Sequence, residues 1–227
     1  MPFPDLPVRL REVQVRIAEA VTRGGHGQPV TVVAVTKTHG PEAVAAAWAA
    51  GVRDIGENRV QEALAKMDAV QVPVRWHLIG HLQRNKVKQV GRFDLIQSMD
   101  SERLADALDQ FGVQHGRPVE VLVQVNVGEE TSKGGYSLDR LEAEAGRLRT
   151  LSGVRVRGVM AMAPLDADER TLRTVFGGAR RAREVMRAAG HEATELSMGM
   201  SNDFEVAVEE GATYVRLGTI LFGARSV

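Results

Sequence analysis

The chain has 227 residues, 44% of them hydrophobic and 4% aromatic, and its 29 Lys and Arg side chains balance 29 Asp and Glu side chains. This length and apolar content suit one large domain with a buried core, and the charge balance argues against a broad surface for nucleic acid or anionic membrane. The absence of cysteine excludes disulfides, thiolate metal sites and a cysteine nucleophile. The first residues lack an apolar signal core and no segment reaches the ~18 apolar residues of a membrane span, so we expect a cytoplasmic protein.

Helical and strand patterns alternate along the chain. Leu10, Val13 and Ile17 recur at helical spacing and predict a helix before the first strand. Short β-branched runs then alternate with longer amphipathic stretches, and several runs are almost wholly apolar, as in parallel strands covered on both faces. The eight predicted strands begin at Val30, Val52, Val74, Phe93, Val119, Val154, Thr194 and Thr213.

Three residues mark predicted helix starts: Pro41 at a first-turn position, and Asp100 and Ser137 as N-caps. A later helix has an apolar face that includes Leu172 and Met186. Its other face carries Arg173, Arg180, Arg181, Arg183 and Arg187. We interpret this arginine face as solvated, in preference to a nucleic-acid site.

Eight βα units predict an α/β fold, a single-domain (β/α)8 barrel over residues 1–227 with the extra helix at its start. The rival is a doubly wound open sheet, which would normally have a glycine-rich turn after the first strand. The first strand instead leads into Thr36-Lys37-Thr38-His39-Gly40. The barrel is therefore the preferred prediction, and its function should gather where the strands end.

Lys37 is the most informative residue at those strand ends. It shares strand parity with Val33 and Val35, so it faces the barrel interior if they do. An ammonium group buried there requires a partner or a lowered pKa, and such a lysine suits Schiff-base chemistry with a carbonyl. The alternative is a lysine at the rim of the barrel, paired with a carboxylate such as Glu57.

The ends of the seventh and eighth strands often bind phosphate in this fold. Ser201 and Asn202 stand at the predicted start of a helix, where backbone N–H groups can meet an anion. Gly218 allows close backbone approach, and Thr219 offers a hydroxyl and an N–H. The alternative is an ordinary cap followed by a tight turn.

Arg216 is expected to point into the barrel, where it needs an acceptor. If the ligand contains a pyridine ring, an arginine beside the ring nitrogen keeps that nitrogen unprotonated, because a guanidinium has no proton acceptor.

His77 beside Trp76 is more typical of a packed strand histidine than of a metal ligand, since it has no histidine partner at metal-binding spacing. We therefore predict no metal site.

Seven segments, taken together, resemble the pyridoxal phosphate homeostasis protein family, also called the proline synthase co-transcribed family. They run in order over nearly the whole chain, which makes the resemblance far more specific than one short motif. The segments are AVTKT (34–38), GENRVQE (56–62), WHLIGHLQRNK (76–86), SKGG (132–135), GVMAM (158–162), LSMGMSND (196–203) and VRLGTILFG (215–223).

The resemblance implies a barrel like the cofactor-binding half of alanine racemase, with pyridoxal 5′-phosphate as cofactor. It implies a Schiff base on Lys37, Arg216 facing the pyridine nitrogen, and Asn58 and His77 near the ring. The residues implied to hold the phosphate are Ser201, Gly218 and Thr219.

The resemblance also implies a carrier that holds the cofactor and delivers it to apo-enzymes, with no established turnover. Alanine racemases add a β-domain that supplies a second base, and this chain ends at Val227. The rivals are a weak pyridoxal phosphate-dependent racemase or decarboxylase, a Schiff-base aldolase acting on a sugar phosphate, and a purely structural role. We expect a monomer, with Lys133 or the arginine face as a conceivable contact for a partner or a second cofactor molecule.

Overall fold

The protein is a closed barrel of eight parallel strands in sequential order. The computed structural model describes residues 2–128 and 134–223, so Ser132 and Lys133 of the fourth segment lie outside the described residues. The strands are β1 Thr31–Val35, β2 Asp54–Glu57, β3 Arg75–Leu78, β4 Leu95–Met99, β5 Val119–Gln124, β6 Val154–Met160, β7 Glu195–Ser197 and β8 Tyr214–Leu217. All eight predicted strands are confirmed.

Helices surround the barrel, and the extra helix predicted before the first strand is present as α1. The helices are α1 Leu6–Gly24, α2 Pro41–Ala49, α3 Val60–Ala69, α4 Glu102–Gln114, α5 Leu141–Leu148, α6 Glu169–Ala188, α7 Phe204–Glu209 and α8 Thr219–Phe222, with 3₁₀ segments at Arg84–Arg92 and Leu138–Arg140. Within the described ranges, none of these helices has the length and hydrophobicity needed to cross a membrane.

Strand parity divides the buried residues into two layers. Outward-facing residues such as Ala34, Ile55 and Val215 join the large core between strands and helices. Inward-facing residues fill the barrel and include Val33, Leu95, Leu122, Met160 and Tyr214. Pairing of Thr31 with Tyr214 and of Val33 with Arg216 joins β1 to β8, which brings the end of β1 beside the end of β8.

The helix starts agree with the sequence except at Asp100. Pro41 opens α2, and Ser137 precedes the 3₁₀ turn that leads into α5. The N-cap of α4 is Ser101, so the assignment of Asp100 as the cap is wrong. The Asp100 carboxylate instead contacts His81 Nδ1 at 2.9 Å, and the extended backbone continues for one more residue before the helix begins.

The arginine face of α6 is largely matched by carboxylates. Arg173 pairs with Glu169, Glu209 and Glu210, and Arg180 pairs with Glu210. On the same helix, Arg183 and Arg187 both contact Glu184. Four of the five arginines thus have a carboxylate partner within the protein, which fits a solvated face better than a nucleic-acid site.

Candidate functional site

A cavity of about 810 Å³ opens at the carboxyl ends of the strands. Its lining contains six of the seven residues that the sequence and the resemblance single out: Lys37, Asn58, Ser201, Arg216, Gly218 and Thr219. They come from the ends of four strands, so closure of the barrel assembles them at one mouth. His77 is the seventh and lies elsewhere.

Lys37 follows β1 by two residues and is half-buried in the cavity lining. Val33 packs inside the barrel and Val35 lines the cavity, so the parity argument placed Lys37 correctly. Glu57 shares parity with Ile55 and faces α3, where its Oε1 receives a hydrogen bond from Lys66 Nζ at 2.6 Å. Lys66 is therefore an ion-pair partner of Glu57.

The loop after β7 meets the start of α8 at the opposite side of the cavity. Ser201 Oγ accepts a hydrogen bond from the backbone N–H of Ile220 at 3.3 Å, which ties the two segments together. A Cβ added at Gly218 would lie 3.4 Å from the carbonyl oxygen of Val35, which also lines the cavity. Gly218 thus lies in van der Waals contact with the end of β1. Ser201 and Thr219 line the same cavity, and backbone amides and hydroxyls suit an anion there.

Asp203 stabilises that loop from within. Its carboxylate accepts a hydrogen bond from the Met200 N–H at 2.5 Å. Burial raises the pKa of the Asp203 carboxyl, and this effect outweighs the opposing Met200 hydrogen bond and Arg216 charge. The loop that carries Ser201 is therefore held by the Asp203 side chain, in addition to the bond between Ser201 and Ile220.

Arg216 forms the floor of the cavity and is 4% exposed. It donates to Ser197 Oγ at 2.6 Å and to the carbonyl oxygen of Ala161 at 3.0 Å. Burial lowers the pKa of Arg216 to about 10, so the guanidinium stays protonated at neutral pH. The need for an acceptor, anticipated from the sequence, is thus met by the barrel itself.

A chain of buried hydrogen bonds runs from Arg216 down the barrel interior. Because Ser197 Oγ accepts from Arg216, its own proton goes to Gln97 Oε1, 2.6 Å away. The Gln97 amide then donates to His77 Nδ1 at 2.9 Å, and His77 Nε2 contacts Asp54 Oδ1 at 2.8 Å. The direction of donation along the chain therefore specifies the His77 tautomer with the proton on Nε2.

His77 consequently lies below the cavity rather than in its lining. It is 1% exposed and packs edge-to-face on Tyr214, which agrees with the packed strand histidine expected from its sequence context. The position near the ring that the resemblance implied for His77 is not supported, because the residue is not part of the cavity lining. The sequence analysis missed Gln97, Ser197 and Asp54. Their available signal was a polar side chain inside a short predicted strand, where a buried polar group needs a hydrogen-bond partner.

The Asp54 carboxylate ends this chain and gives a testable pH dependence. Burial raises its pKa, but hydrogen bonds from His77 and Arg75 outweigh burial and hold the pKa below 3.8. The ionised carboxylate therefore stabilises the fold above about pH 3.8, and this stabilisation is lost as pH falls through the folded-state pKa.

Asp54→Asn is expected to lower the free energy of unfolding by about 1–2 kcal/mol at neutral pH, because neutral hydrogen bonds replace charge-assisted ones. The difference from wild type should shrink as pH falls below 3.8. Urea unfolding of both proteins across a pH series measures it. A difference that is constant with pH would show that the Asp54 charge does not contribute to stability.

Comparison with known proteins places this architecture in a family. Residues 8–226 match the family model described as "Alanine racemase, N-terminal domain". A pyridoxal phosphate homeostasis protein of Aquifex aeolicus is 40% identical over 96% of this chain and 97% of its own length. The protein of the same name from Pseudomonas aeruginosa is 40% identical over 95% of this chain and 94% of its own.

A solved structure gives the same result in three dimensions. The PipY protein of Synechococcus elongatus PCC7942, determined with PLP bound, is 38% identical and superposes with a TM-score of 0.85. The match covers 96% of this chain and 100% of the PipY chain. This chain therefore belongs to the pyridoxal phosphate homeostasis protein family, within the group defined by the alanine racemase N-terminal domain.

Proposed function

We propose that the protein binds pyridoxal 5′-phosphate as a Schiff base on Lys37, contributes to intracellular vitamin B6 homeostasis and delivers the cofactor to apo-enzymes. The observation that carries this proposal is one cavity that joins an inward lysine to an anion-suited loop pair. Among the described residues that line the cavity, Lys37 is the only lysine. The PLP-bound relative from Synechococcus elongatus supports the choice of ligand.

The lining fits the groups that this ligand carries. Pyridoxal phosphate supplies an aldehyde that a primary amine can attack and a phosphate with nearly two negative charges. Lys37 Nζ would add to the aldehyde carbon, and water would leave as the C=N bond forms. Hydrolysis reverses this step, so the same lysine can hold the cofactor and release it.

Arg216 favours a carrier over an enzyme. Under this proposal its guanidinium faces the pyridine nitrogen and has no lone pair with which to accept a proton. The ring nitrogen then stays unprotonated, which makes the ring a poorer electron sink for reactions at an amino-acid α-carbon. Asn58, at the end of β2, would contact the ring from the side.

The phosphate assignment predicts a selective loss of affinity. Ser201→Ala and Thr219→Val each remove one hydroxyl, and each is expected to weaken binding of pyridoxal phosphate by about 5- to 30-fold. Binding of pyridoxal, which has the aldehyde and no phosphate, should change less than about twofold. Absorbance titration of wild type and variants with both ligands measures this, and equal losses for both ligands would contradict the assignment.

Reduction with borohydride followed by peptide mass mapping tests the covalent step. The expected product is a single pyridoxyl adduct on Lys37, and modification of any other lysine would overturn the site.

Delivery is tested by incubation of the loaded protein with an apo-aminotransferase, while a trap removes free pyridoxal phosphate. Activation no faster than from the free cofactor would reject the delivery role.

The rival activities make different predictions. A weak racemase or decarboxylase would turn over amino acids in a Lys37-dependent manner. An aldolase would form a borohydride-trapped adduct with a sugar phosphate on Lys37 and would carry no bound chromophore. We further propose that the protein is a cytoplasmic monomer. Sedimentation velocity of the loaded and the ligand-free protein would test the monomer, and cell fractionation would test the location.

A further inference from the structure

The backbone around Lys37 is held from behind by a strand-end cluster, defined as Glu57, Glu62 and Lys66. Glu57 ends β2, whereas Glu62 and Lys66 stand one turn apart on α3. The Lys66 side chain is 5% exposed and the Glu57 side chain is fully buried. Lys66 Nζ lies 2.6 Å from Glu57 Oε1 and 3.0 Å from Glu62 Oε1.

Both peptide groups of Lys37 are bonded to this cluster. On the N-terminal side, the carbonyl oxygen of Thr36 accepts from Lys66 Nζ at 2.7 Å. On the C-terminal side, the N–H of Thr38 donates to Glu62 Oε1 at 2.7 Å. Thr36 Oγ1 also donates to Glu57. Side chains of one helix and one neighbouring strand thus fix the residue that presents the amine.

The conformation held in this way is not one that the loop would adopt freely. Thr38 has a φ of 69°, in the left-handed region that a β-branched residue rarely occupies. The Glu62 bond to its N–H opposes relaxation of that turn. Two further bonds of the cluster hold Thr36, the residue before Lys37, so the backbone is fixed on both sides of Lys37.

The cluster is expensive to bury, which argues that it does more than fill space. Burial raises the pKa of the Glu57 carboxyl despite its bonds to Lys66 and Thr36, and Glu57 Oε2 has no hydrogen-bond partner. A buried ion pair with an unsatisfied oxygen is weak evidence for stability, because apolar residues of similar volume often serve as well. In this protein the cluster bonds to the Thr36 carbonyl and the Thr38 N–H, so its bonds specify the backbone geometry around Lys37.

We propose that Glu62 and Lys66 are positioning residues for Lys37. They hold the two peptide groups of Lys37 so that its amine meets the aldehyde of the ligand. This inference rests on the proposed function. It assigns a role to the GENRVQE segment beyond Asn58, because Glu57 and Glu62 belong to that segment.

Glu62 provides the sharpest test, since its side chain is 27% exposed and its loss should not unfold the protein. Glu62→Ala removes the acceptor for the Thr38 N–H, whereas Glu62→Gln keeps an oxygen acceptor and removes only the charge. Asp68→Ala is the matched control, because Asp68 lies on the same helix and pairs with Arg92 on the surface. Stopped-flow absorbance after mixing with pyridoxal phosphate gives the rate of Schiff-base formation.

We expect Glu62→Ala to slow that rate by about 10- to 100-fold, since small misplacements of a reacting group have effects of this size. Glu62→Gln and Asp68→Ala should stay within about threefold of wild type. Affinity for pyridoxamine phosphate, which fills the same pocket and has no aldehyde, should be unchanged in all three variants. The melting temperature of the ligand-free proteins should also change little.

Three outcomes would overturn the inference: an unchanged rate in Glu62→Ala, equal slowing in Glu62→Gln, or a parallel loss of pyridoxamine phosphate affinity that marks a general structural defect. Failure of the proposed function looks different. In that case wild type itself would form no Schiff base with pyridoxal phosphate.

Discussion

Replacement of Lys37 with alanine is expected to abolish the borohydride-stable adduct and to weaken binding of pyridoxal phosphate by at least about 100-fold, or ~2.7 kcal/mol. The reason is that the proposed covalent bond is lost while the loops proposed to hold the phosphate remain. Lys37 is half-buried at a strand end and outside the helix-facing core. The variant should therefore fold with a melting temperature close to that of wild type.

The measurement is an absorbance titration with pyridoxal phosphate and, in parallel, with pyridoxamine phosphate. Lys37→Ala should lose affinity for the first ligand and keep most of its affinity for the second. Lys88→Ala, at an exposed lysine of the Arg84–Arg92 segment, is the control and should behave as wild type. Undiminished binding of pyridoxal phosphate by Lys37→Ala would refute a covalent role for this amine.

Arg216→Met is expected to separate stability from ligand chemistry. Burial lowers the pKa of Arg216 to about 10, because the charged guanidinium loses its solvation in the barrel interior. Methionine of similar length removes this cost but also removes the charge-assisted hydrogen bonds to Ser197 and Ala161, each worth about 1.5–3 kcal/mol. The two effects oppose each other, so the free energy of unfolding should fall by only about 1–3 kcal/mol, less than the sum of the lost bonds.

Ligand binding should respond much more strongly to the same change. Without the guanidinium, the ring nitrogen of the bound cofactor has no fixed cation opposite it, and affinity for pyridoxal phosphate should fall by about tenfold or more. The absorbance of the bound ligand should also become dependent on pH, because protonation of the ring nitrogen is no longer opposed. Arg92→Met, at an exposed arginine, is the control.

Urea unfolding and absorbance titration of the same preparations test both parts. A stability loss of several kcal/mol in Arg216→Met would mean that the arginine serves mainly to build the barrel. Unchanged affinity together with an unchanged pH profile would mean that Arg216 does not face the ring.

The eight strands, the helix before them and the inward direction of Lys37 could all be predicted from the sequence. These features follow from local periodicity, since the alternation of Val33, Val35 and Lys37 is readable within five residues. Ser201, Gly218 and Thr219 could also be singled out from the sequence as candidates for one site, because each stands at or just after the end of a predicted strand.

Which polar groups form hydrogen bonds with one another could be seen only in the three-dimensional structure. Ser197 and Gln97 are 100 residues apart in the chain, and their hydrogen bond exists only because the barrel closes. The contact of Asp100 with His81 likewise depends on the register of neighbouring strands. The position of Lys66 between Glu57 and the Thr36 carbonyl depends on how α3 packs against the barrel. Periodicity encodes which face a residue occupies, whereas side-chain partners depend on the distances that packing sets in three dimensions.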